Sequence, residues 1–178
     1  MNNRLDKNAG SDDALIIVAL GCNLSGAYGS RLELLQAVLA AFGPSGLVLV
    51  KCSSWWRSAA WPNPDQPDYL NGVVVVETTL DPPALLDRLL TIERAFGRER
   101  GAAHAPRTVD LDLIAHGRLI LSGPALTLPH PRAAERLFVM GPLAQIAPDW
   151  RHPQLGLTAR DLARHALIGA DATPIAAA

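Results

Sequence analysis

In the stretch PRTVDLDLIAHG, residues 106–117, two aspartates interrupt a run that otherwise reads as a buried strand. Side chains at i and i+2 of a strand share a face. Asp110 and Asp112 therefore point the same way, about 6.5–7 Å apart at the backbone, while Val109, Leu111 and Leu113 face the core. That spacing lets both carboxylates reach one magnesium ion or a pair of ions. The plain alternative is the solvated face of an antiparallel sheet. Aspartate is disfavoured in strands, however, and like charges on one face repel, so the pair needs positive charge nearby. Arg98, Arg100 and Arg107 lie just upstream, the first two in the Gly/Ala-rich segment GRERGAAHA. Guanidinium forks match phosphate oxygens, so arginines beside a metal-binding pair suit a polyphosphate clamp; the alternative is a surface loop of solvated arginines. Glu93 falls in the last turn of a predicted helix, where the macrodipole disfavours an acid. Arg94 and Arg98 are its candidate partners.

A second pair lies further upstream. Tyr69 and Asn71 in DQPDYLN again have i, i+2 spacing. A ring beside a carboxamide suits a flat heterocycle, the ring stacking and the amide reading donor and acceptor edges. An edge tyrosine beside a turn-forming asparagine is the competing reading. His130, between two prolines, is by itself an ordinary loop histidine. The segment GCNLSGAYGS has glycines but no Walker lysine, and no protein-kinase motif set is present. ATP chemistry, if present, uses neither design.

These residues need elements to hold them. ALIIVALG reads as a buried strand. Ser30 and Glu33 have capping-box spacing at the start of a helix whose apolar face is Leu32, Leu35, Val38, Leu39 and Phe42, stopped by Gly43-Pro44. GLVLVKCSSWW and YLNGVVVVETTL read as the second and third strands, joined by a proline-rich loop, RSAAWPNPDQPD. Asp81 and Pro82 suit the N-cap and first position of a second helix, with Leu85, Leu86, Leu89, Ile92 and Phe96 on its apolar stripe and Gly97 at its end. The aspartate strand follows. GRLIL is expected to return as its hairpin partner, RAAERLFVM as a third helix and TARDLARHA as a fourth. The order β-α-β-β-α-β predicts an α+β fold of the ferredoxin-like, split βαβ kind, with an added hairpin and C-terminal helices. Residues 1–13 and 169–178 are expected to be flexible tails around one domain spanning residues 14–168.

The bulk of the chain narrows the function classes. At 178 residues and a formal net charge of −1, it has length for one core and no basic footprint for nucleic acid. No apolar run approaches a membrane span, and no secretory signal is apparent, so a cytoplasmic protein is expected. Cys22 and Cys52 form no CxxC motif and are expected to be reduced, with no metal role.

Taken together, LGCNL (20–24), DQPDYLNGVV (65–74), IERAFGRER (92–100), PRTVDLDLIAHG (106–117) and LPHPRAAERLFVMGPL (128–143) resemble the 6-hydroxymethyl-7,8-dihydropterin pyrophosphokinase family. The resemblance runs from about residue 14 to 167. It implies an enzyme of folate biosynthesis that transfers the diphosphate of ATP to the pterin hydroxymethyl group, with two Mg2+ ions and ATP as co-substrate. It implies Asp110 and Asp112 as metal ligands, and Arg98 and Arg107 as catalytic charge stabilisers. Tyr69 and Phe138 would sandwich the pterin, Asn71 would bind its edge, and Gly21, Ser58 and Trp61 would line its pocket. Glu93, Arg100, Leu113, His130 and Arg136, with Arg98 and Arg107, would serve ATP. The implied partners are these two small molecules, with no nucleic acid or membrane, and the protein is expected to act as a monomer. The chain departs from the family pattern in four places. It has Cys22 in place of Ser, Ala59-Ala60 in place of a Pro pair, a bulky Trp61, and His104-Ala105 in place of Trp-Gly. A divergent paralogue using a modified pterin is therefore an alternative, as is a non-catalytic pterin- or nucleotide-binding module. An RNA-binding domain of the same topology would need basic charge and an aromatic strand signature that the chain lacks.

Overall fold

A computed structural model describes residues 14–98 and 107–176. In chain order it contains β1 (Ile16–Cys22), α1 (Arg31–Ala40), β2 (Val48–Cys52), β3 (Trp56–Ser58), β4 (Tyr69–Glu77), α2 (Pro82–Ala95) and β5 (Asp110–His116). The strands β6 (Leu121–Ser122) and β7 (Thr127–Leu128) then form a separate hairpin, followed by α3 (Leu137–Ile146), α4 (Ala159–His165) and β8 (Thr173–Pro174). The main sheet runs β5-β1-β4-β3-β8, with β2 also paired to β4. All its pairings are antiparallel.

Strand alternation assigns the two faces of this sheet. Val18, Leu20, Cys22, Val74, Val76, Leu111 and Leu113 point into a core shared with Leu34, Leu35 and Val38 of α1 and Leu85, Leu89 and Ile92 of α2. Ile17, Ala19, Val73 and Ile114 point the other way, against Val139, Met140 and Leu143 of α3 and Leu162 of α4. The result is a mixed α/β arrangement with helices on both sides of an antiparallel sheet. Gly21, Asn71, Asp110 and Asp112 belong by alternation to the α3 side. Among the described residues no helix is long and apolar enough to cross a membrane, and both cysteines are free.

Local signals place most element ends. The Ser30 hydroxyl accepts the Glu33 N–H at 3.1 Å, and Asp81 accepts the Ala84 N–H at 2.9 Å. Gly97, at φ 78°, takes the left-handed conformation that follows α2.

Five expectations change. In α1, Leu34 is buried whereas Leu32 and Leu39 are only partly so. The predicted second strand ends at Cys52, and a short β3 spans the junction of GLVLVKCSSWW and the proline-rich loop: Trp56, Arg57 and Ser58 pair with Asn71, Leu70 and Tyr69. GRLIL does not pair with the aspartate strand; Leu121 and Ser122 pair with Leu128 and Thr127, because the Gly123 N–H closes a local turn onto the Leu126 carbonyl. The third helix starts only at Leu137, since Arg136 is extended and bridged to Ile168. The expected C-terminal tail is folded through residue 175: Ala172 is buried, Thr173 and Pro174 pair with Arg57 and Trp56, and the Ile175 N–H donates to the Trp55 carbonyl at 2.8 Å.

Candidate active site

The sheet register builds the site in one row. Gly21 on β1 lies opposite Asn71 on β4 and opposite Asp110 on β5. Strands sit about 4.8 Å apart, so Asn71 and Asp110 are about 10 Å apart at the backbone, across a residue with no side chain. A Cβ at Gly21 would stand 3.3 Å from Asn71 Oδ1 and 3.7 Å from Tyr69 Cδ1. Glycine thus leaves open the floor of a cavity of about 270 Å³. Gly21, Ser58, Trp61, Tyr69, Asn71 and Phe138 line it together with Arg107, Asp110, Asp112, His130, Arg132 and Arg136. Of the charged residues here, Arg132 is the one the sequence reading does not single out, although it belongs to the quoted LPHPR stretch, and Ala19, Leu20, Ala59 and Val139 complete the lining.

One end of the cavity is aromatic and amide-lined. Asn71 and Ser58 are buried, and Asn71 Nδ2 donates to the Ser58 hydroxyl at 3.0 Å. Trp61 is 46% exposed at the mouth, with the Arg132 guanidinium 4.9 Å above its ring. The Arg136 guanidinium lies 5.7 Å from the Phe138 ring.

The other end is charged. Asp110 Oδ1 lies 2.5 Å from Arg98 Nη1, and Oδ2 lies 2.7 Å from Arg107 Nη1. Arg98 also donates to Glu93, whose carboxylate accepts the Leu111 N–H at 2.7 Å. Glu93 and Arg98 therefore stand behind Asp110 rather than among the residues lining the cavity. Arg107 is anchored through its backbone: its N–H donates to buried Asn23 Oδ1 at 2.8 Å, and its carbonyl accepts from Asn23 and Leu24 at 3.2 Å each. This brace was not anticipated; its only signal was the asparagine following Gly21-Cys22. Asp112 faces Arg136 at 4.0 Å, and the Arg136 Nε is buried without a hydrogen-bond partner.

Burial and then the Asp110 charge push the Asp112 carboxyl up to about 6, against the pull of Arg136, Arg98 and Arg107. Burial pushes Glu93 up to about 7, opposed by the Leu111 N–H and Arg98. Burial works against the Arg107 charge, but Asp110 outweighs it and the pKa moves up. Burial, then Arg136, lowers His130 to about 4. A neutral His130 agrees with its Nδ1 accepting the Arg132 N–H at 3.3 Å.

A second cavity of about 250 Å³ runs beside β5, lined by Leu86, Leu111, Leu113, Leu126 and Thr127. Asp112 and His130 line both cavities, so the two meet at the charged end. Leu113 belongs to this second space. Arg100 and His104 lie outside the described residues.

Residues 17–148 match the family model for 7,8-dihydro-6-hydroxymethylpterin-pyrophosphokinase (HPPK). The chain is 47% identical over 143 residues to a 2-amino-4-hydroxy-6-hydroxymethyldihydropteridine pyrophosphokinase of Synechocystis sp., covering 80% of this chain and 71% of the relative. It is 41% identical over 139 residues to the enzyme of the same name from Pseudomonas aeruginosa, covering 78% and 83%. It spans only 21% of the Pneumocystis carinii folic acid synthesis protein fol1, at 34% identity over 157 residues and 88% of this chain. Among solved structures, the Plasmodium falciparum HPPK-DHPS A437G chain with SDX-DHP is similar in fold, at TM-score 0.67 and 13% identity, covering 84% of this chain and 45% of that one. This protein thus spans less than half the length of that solved chain. The chain belongs to the 7,8-dihydro-6-hydroxymethylpterin-pyrophosphokinase family.

Proposed function

We propose that this protein transfers the diphosphate of ATP to the hydroxymethyl group of 6-hydroxymethyl-7,8-dihydropterin in folate biosynthesis, giving AMP and the pterin diphosphate. The observation that carries this reading is the row Asn71–Gly21–Asp110, which sets an amide-and-aromatic pocket and an arginine–aspartate cluster on either side of β1 within one cavity. The pterin would lie between Tyr69 and Phe138, with its edge on Asn71 and with Gly21, Ser58 and Trp61 around it. The nucleotide would enter along the second cavity, past Leu113 and His130, with its phosphates running toward Arg98, Arg107 and Arg136. Glu93 acts indirectly, by holding Arg98 and the β5 backbone. Arg100 is assigned to the same phosphate chain. The strand order supports a ferredoxin-like arrangement, with β2 and β3 pairing in turn along β4 where that fold has one strand. We read the protein as a cytoplasmic monomer with a single catalytic unit.

The donor set fits magnesium. Among the described residues no group of three or more His, Cys, Asp or Glu could hold a metal. Two carboxylates completed by water and substrate phosphates are nevertheless a usual magnesium set, and the mutual repulsion of Asp110 and Asp112 favours a cation between them. Two magnesium ions on Asp110 and Asp112 would supply charge neutralisation at the phosphate oxygens when bound.

In the reaction the pterin alcohol oxygen attacks the β-phosphorus in line. The bond from that phosphorus to the α–β bridging oxygen breaks, AMP leaves, and the hydroxyl proton passes to water. Among the described residues lining the cavity, none is a strong base against the alcohol. The chain's work is positioning the alcohol with Asn71 and the ring pair, and placing arginine charge where the transferring phosphates gather charge. The deciding assay is AMP release from ATP and magnesium with and without 6-hydroxymethyl-7,8-dihydropterin. Pterin-dependent AMP supports the reading, and ATP turnover indifferent to the pterin would end it. The Trp61–Arg132 contact at the mouth favours one second reading, a preference for a modified pterin; equal or better use of the ordinary pterin in a panel of pterin alcohols would remove it.

A further inference from the structure

The segment 168–175 lies outside the residues matched to the family model, yet it touches both walls of the aromatic end of the cavity. On one side it meets the segment that carries Arg136 and Phe138. The Ile168 N–H donates to the Glu135 carbonyl at 3.0 Å, and the Leu137 N–H donates to the Ile168 carbonyl at 2.8 Å. Gly169 follows at φ +69°, and a Cβ there would stand 2.4 Å from Phe138 Cδ1. The back of the Phe138 ring thus rests on bare backbone. The Ala172 N–H then closes a turn onto the Gly169 carbonyl at 2.9 Å, and the chain crosses to the opposite wall. There Asp171 Oδ2 accepts the Ala59 N–H at 2.5 Å, and Thr173 pairs with Arg57, flanking Ser58 from both sides.

We propose that segment 168–175 is a strap that positions the pterin end of the site, with Asp171 holding the Ser58–Ala59 wall and Gly169 setting the depth of Phe138. The two contacts at issue act on the pterin end: Asp171 meets the Ser58–Ala59 wall and Gly169 meets Phe138, whereas Arg136, on the nucleotide side, is bridged through Ile168. The strap contacts the walls carrying Ser58 and Phe138, while the Asp110 cluster is held separately by Glu93 and Asn23. A main-chain N–H bonded to a carboxylate is a charge-assisted contact, so its loss frees the wall without exposing core. The inference rests on the pterin reading of this end of the cavity.

The test uses the full chain with Asp171→Ala, Asp171→Asn and Gly169→Ala. Asp171→Ala is expected to raise the pterin KM about fivefold, with the ATP KM and kcat within about twofold of the parent. Asp171→Asn keeps an acceptor oxygen in place and restores most of the loss. Gly169→Ala pushes Phe138 into the cavity and raises the pterin KM about tenfold or more, again sparing ATP. A pterin KM unchanged in both alanine variants, or an equal rise in both substrates' KM values, overturns the proposal. Hydrogen exchange at the Ala59 amide reports on the strap without turnover. Protection lost in Asp171→Ala is expected, and protection unchanged from the parent overturns the link. A parent chain that released no AMP would overturn the pterin reading alone, because the amide readout stands apart from activity.

Discussion

The buried carboxylate of Glu93 accepts the backbone N–H of Leu111 at 2.7 Å, so the last turn of α2 is tied to the residue that separates Asp110 from Asp112. This explains an acid at a helix end whose dipole disfavours it: the Leu111 N–H and Arg98 supply the compensating positive ends. Glu93→Ala removes a buried acceptor from both and should cost about 2–4 kcal/mol in urea unfolding. Glu93→Gln tests the charge itself. With Glu93 raised to about 7 by burial, the folded state holds its proton more tightly than the unfolded chain. The associated stability is fully present below about pH 4.5 and lost as pH rises through about 7. The parent should therefore lose ground to Glu93→Gln between pH 5 and pH 8, by about 2 kcal/mol. A pH-independent difference would show that Arg98 and Leu111 already cancel the burial cost.

Asp110 and Asp112 should separate activity from stability. Either change to Asn is expected to cut AMP release by about a thousandfold or more, since both carboxylates are assigned to magnesium. Their folding effects should have opposite signs. Asp110→Asn strands the Arg107 charge and leaves Arg98 with Glu93 alone, where both now meet Asp110 at 2.7 and 2.5 Å, and should lower the melting temperature. Asp112→Asn removes a charge whose folding is disfavoured by burial and by Asp110. It should stabilise the ligand-free protein by up to about 1 kcal/mol after solvent screening. Full activity in either variant would remove the metal assignment.

What the sequence disclosed follows from the range of the forces involved. Ser30, Asp81 and Gly97 act within one helical turn, so their caps were readable. Asp110 and Asp112 share a face because strand alternation is local. The meeting of Asn71 and Asp110 across Gly21 depends on the register of three strands far apart in the chain, and no local pattern states that register. β3 and β8 were hidden for the same reason. One straddles the start of a proline-rich loop and the other lies in an Ala/Gly-rich end, and each becomes a strand only by pairing at long range. Asn23 likewise gains its role only when Arg107, 84 residues later, arrives to donate.

Gly21→Ala probes the floor of the site. The new methyl would stand 3.3 Å from Asn71 Oδ1 and 3.7 Å from Tyr69 Cδ1, so the amide must give by a few tenths of an ångström. Stability should change by less than about 1 kcal/mol, because β-strand backbone accepts alanine. The pterin KM should rise about tenfold while the ATP KM holds. An equal rise in both would mean that the glycine serves the sheet rather than the pocket.

Arg107→Ala should act on turnover. Its side chain reaches Asp110, while its backbone is fixed by Asn23, so truncation leaves the backbone at residue 107 anchored. We expect kcat to fall about a hundredfold or more, with pterin affinity within about threefold. Equal losses in kcat and in pterin binding by titration would assign Arg107 a binding role only.

His130 lines both cavities, so its protonation should register in stability and in nucleotide use. Burial, followed by Arg136, holds it near 4 against an ordinary 6.5. The unfolded chain therefore binds more protons than the folded one between these values, and stability rises with pH across that window. Acidification from pH 6.5 to pH 4 should remove about 1–2 kcal/mol after solvent screening. Glu93 and Asp112 work in the opposite direction over overlapping pH, since their folded-state pKa values are raised, so the parent profile alone would look flat. The difference between parent and His130→Gln isolates the histidine. The variant should gain relative stability as pH falls below 6.5, and should raise the ATP KM more than the pterin KM at pH 7.5. A difference that does not change between pH 7 and pH 4.5 would show that protonated His130 is solvated as well in the folded protein as in the unfolded chain.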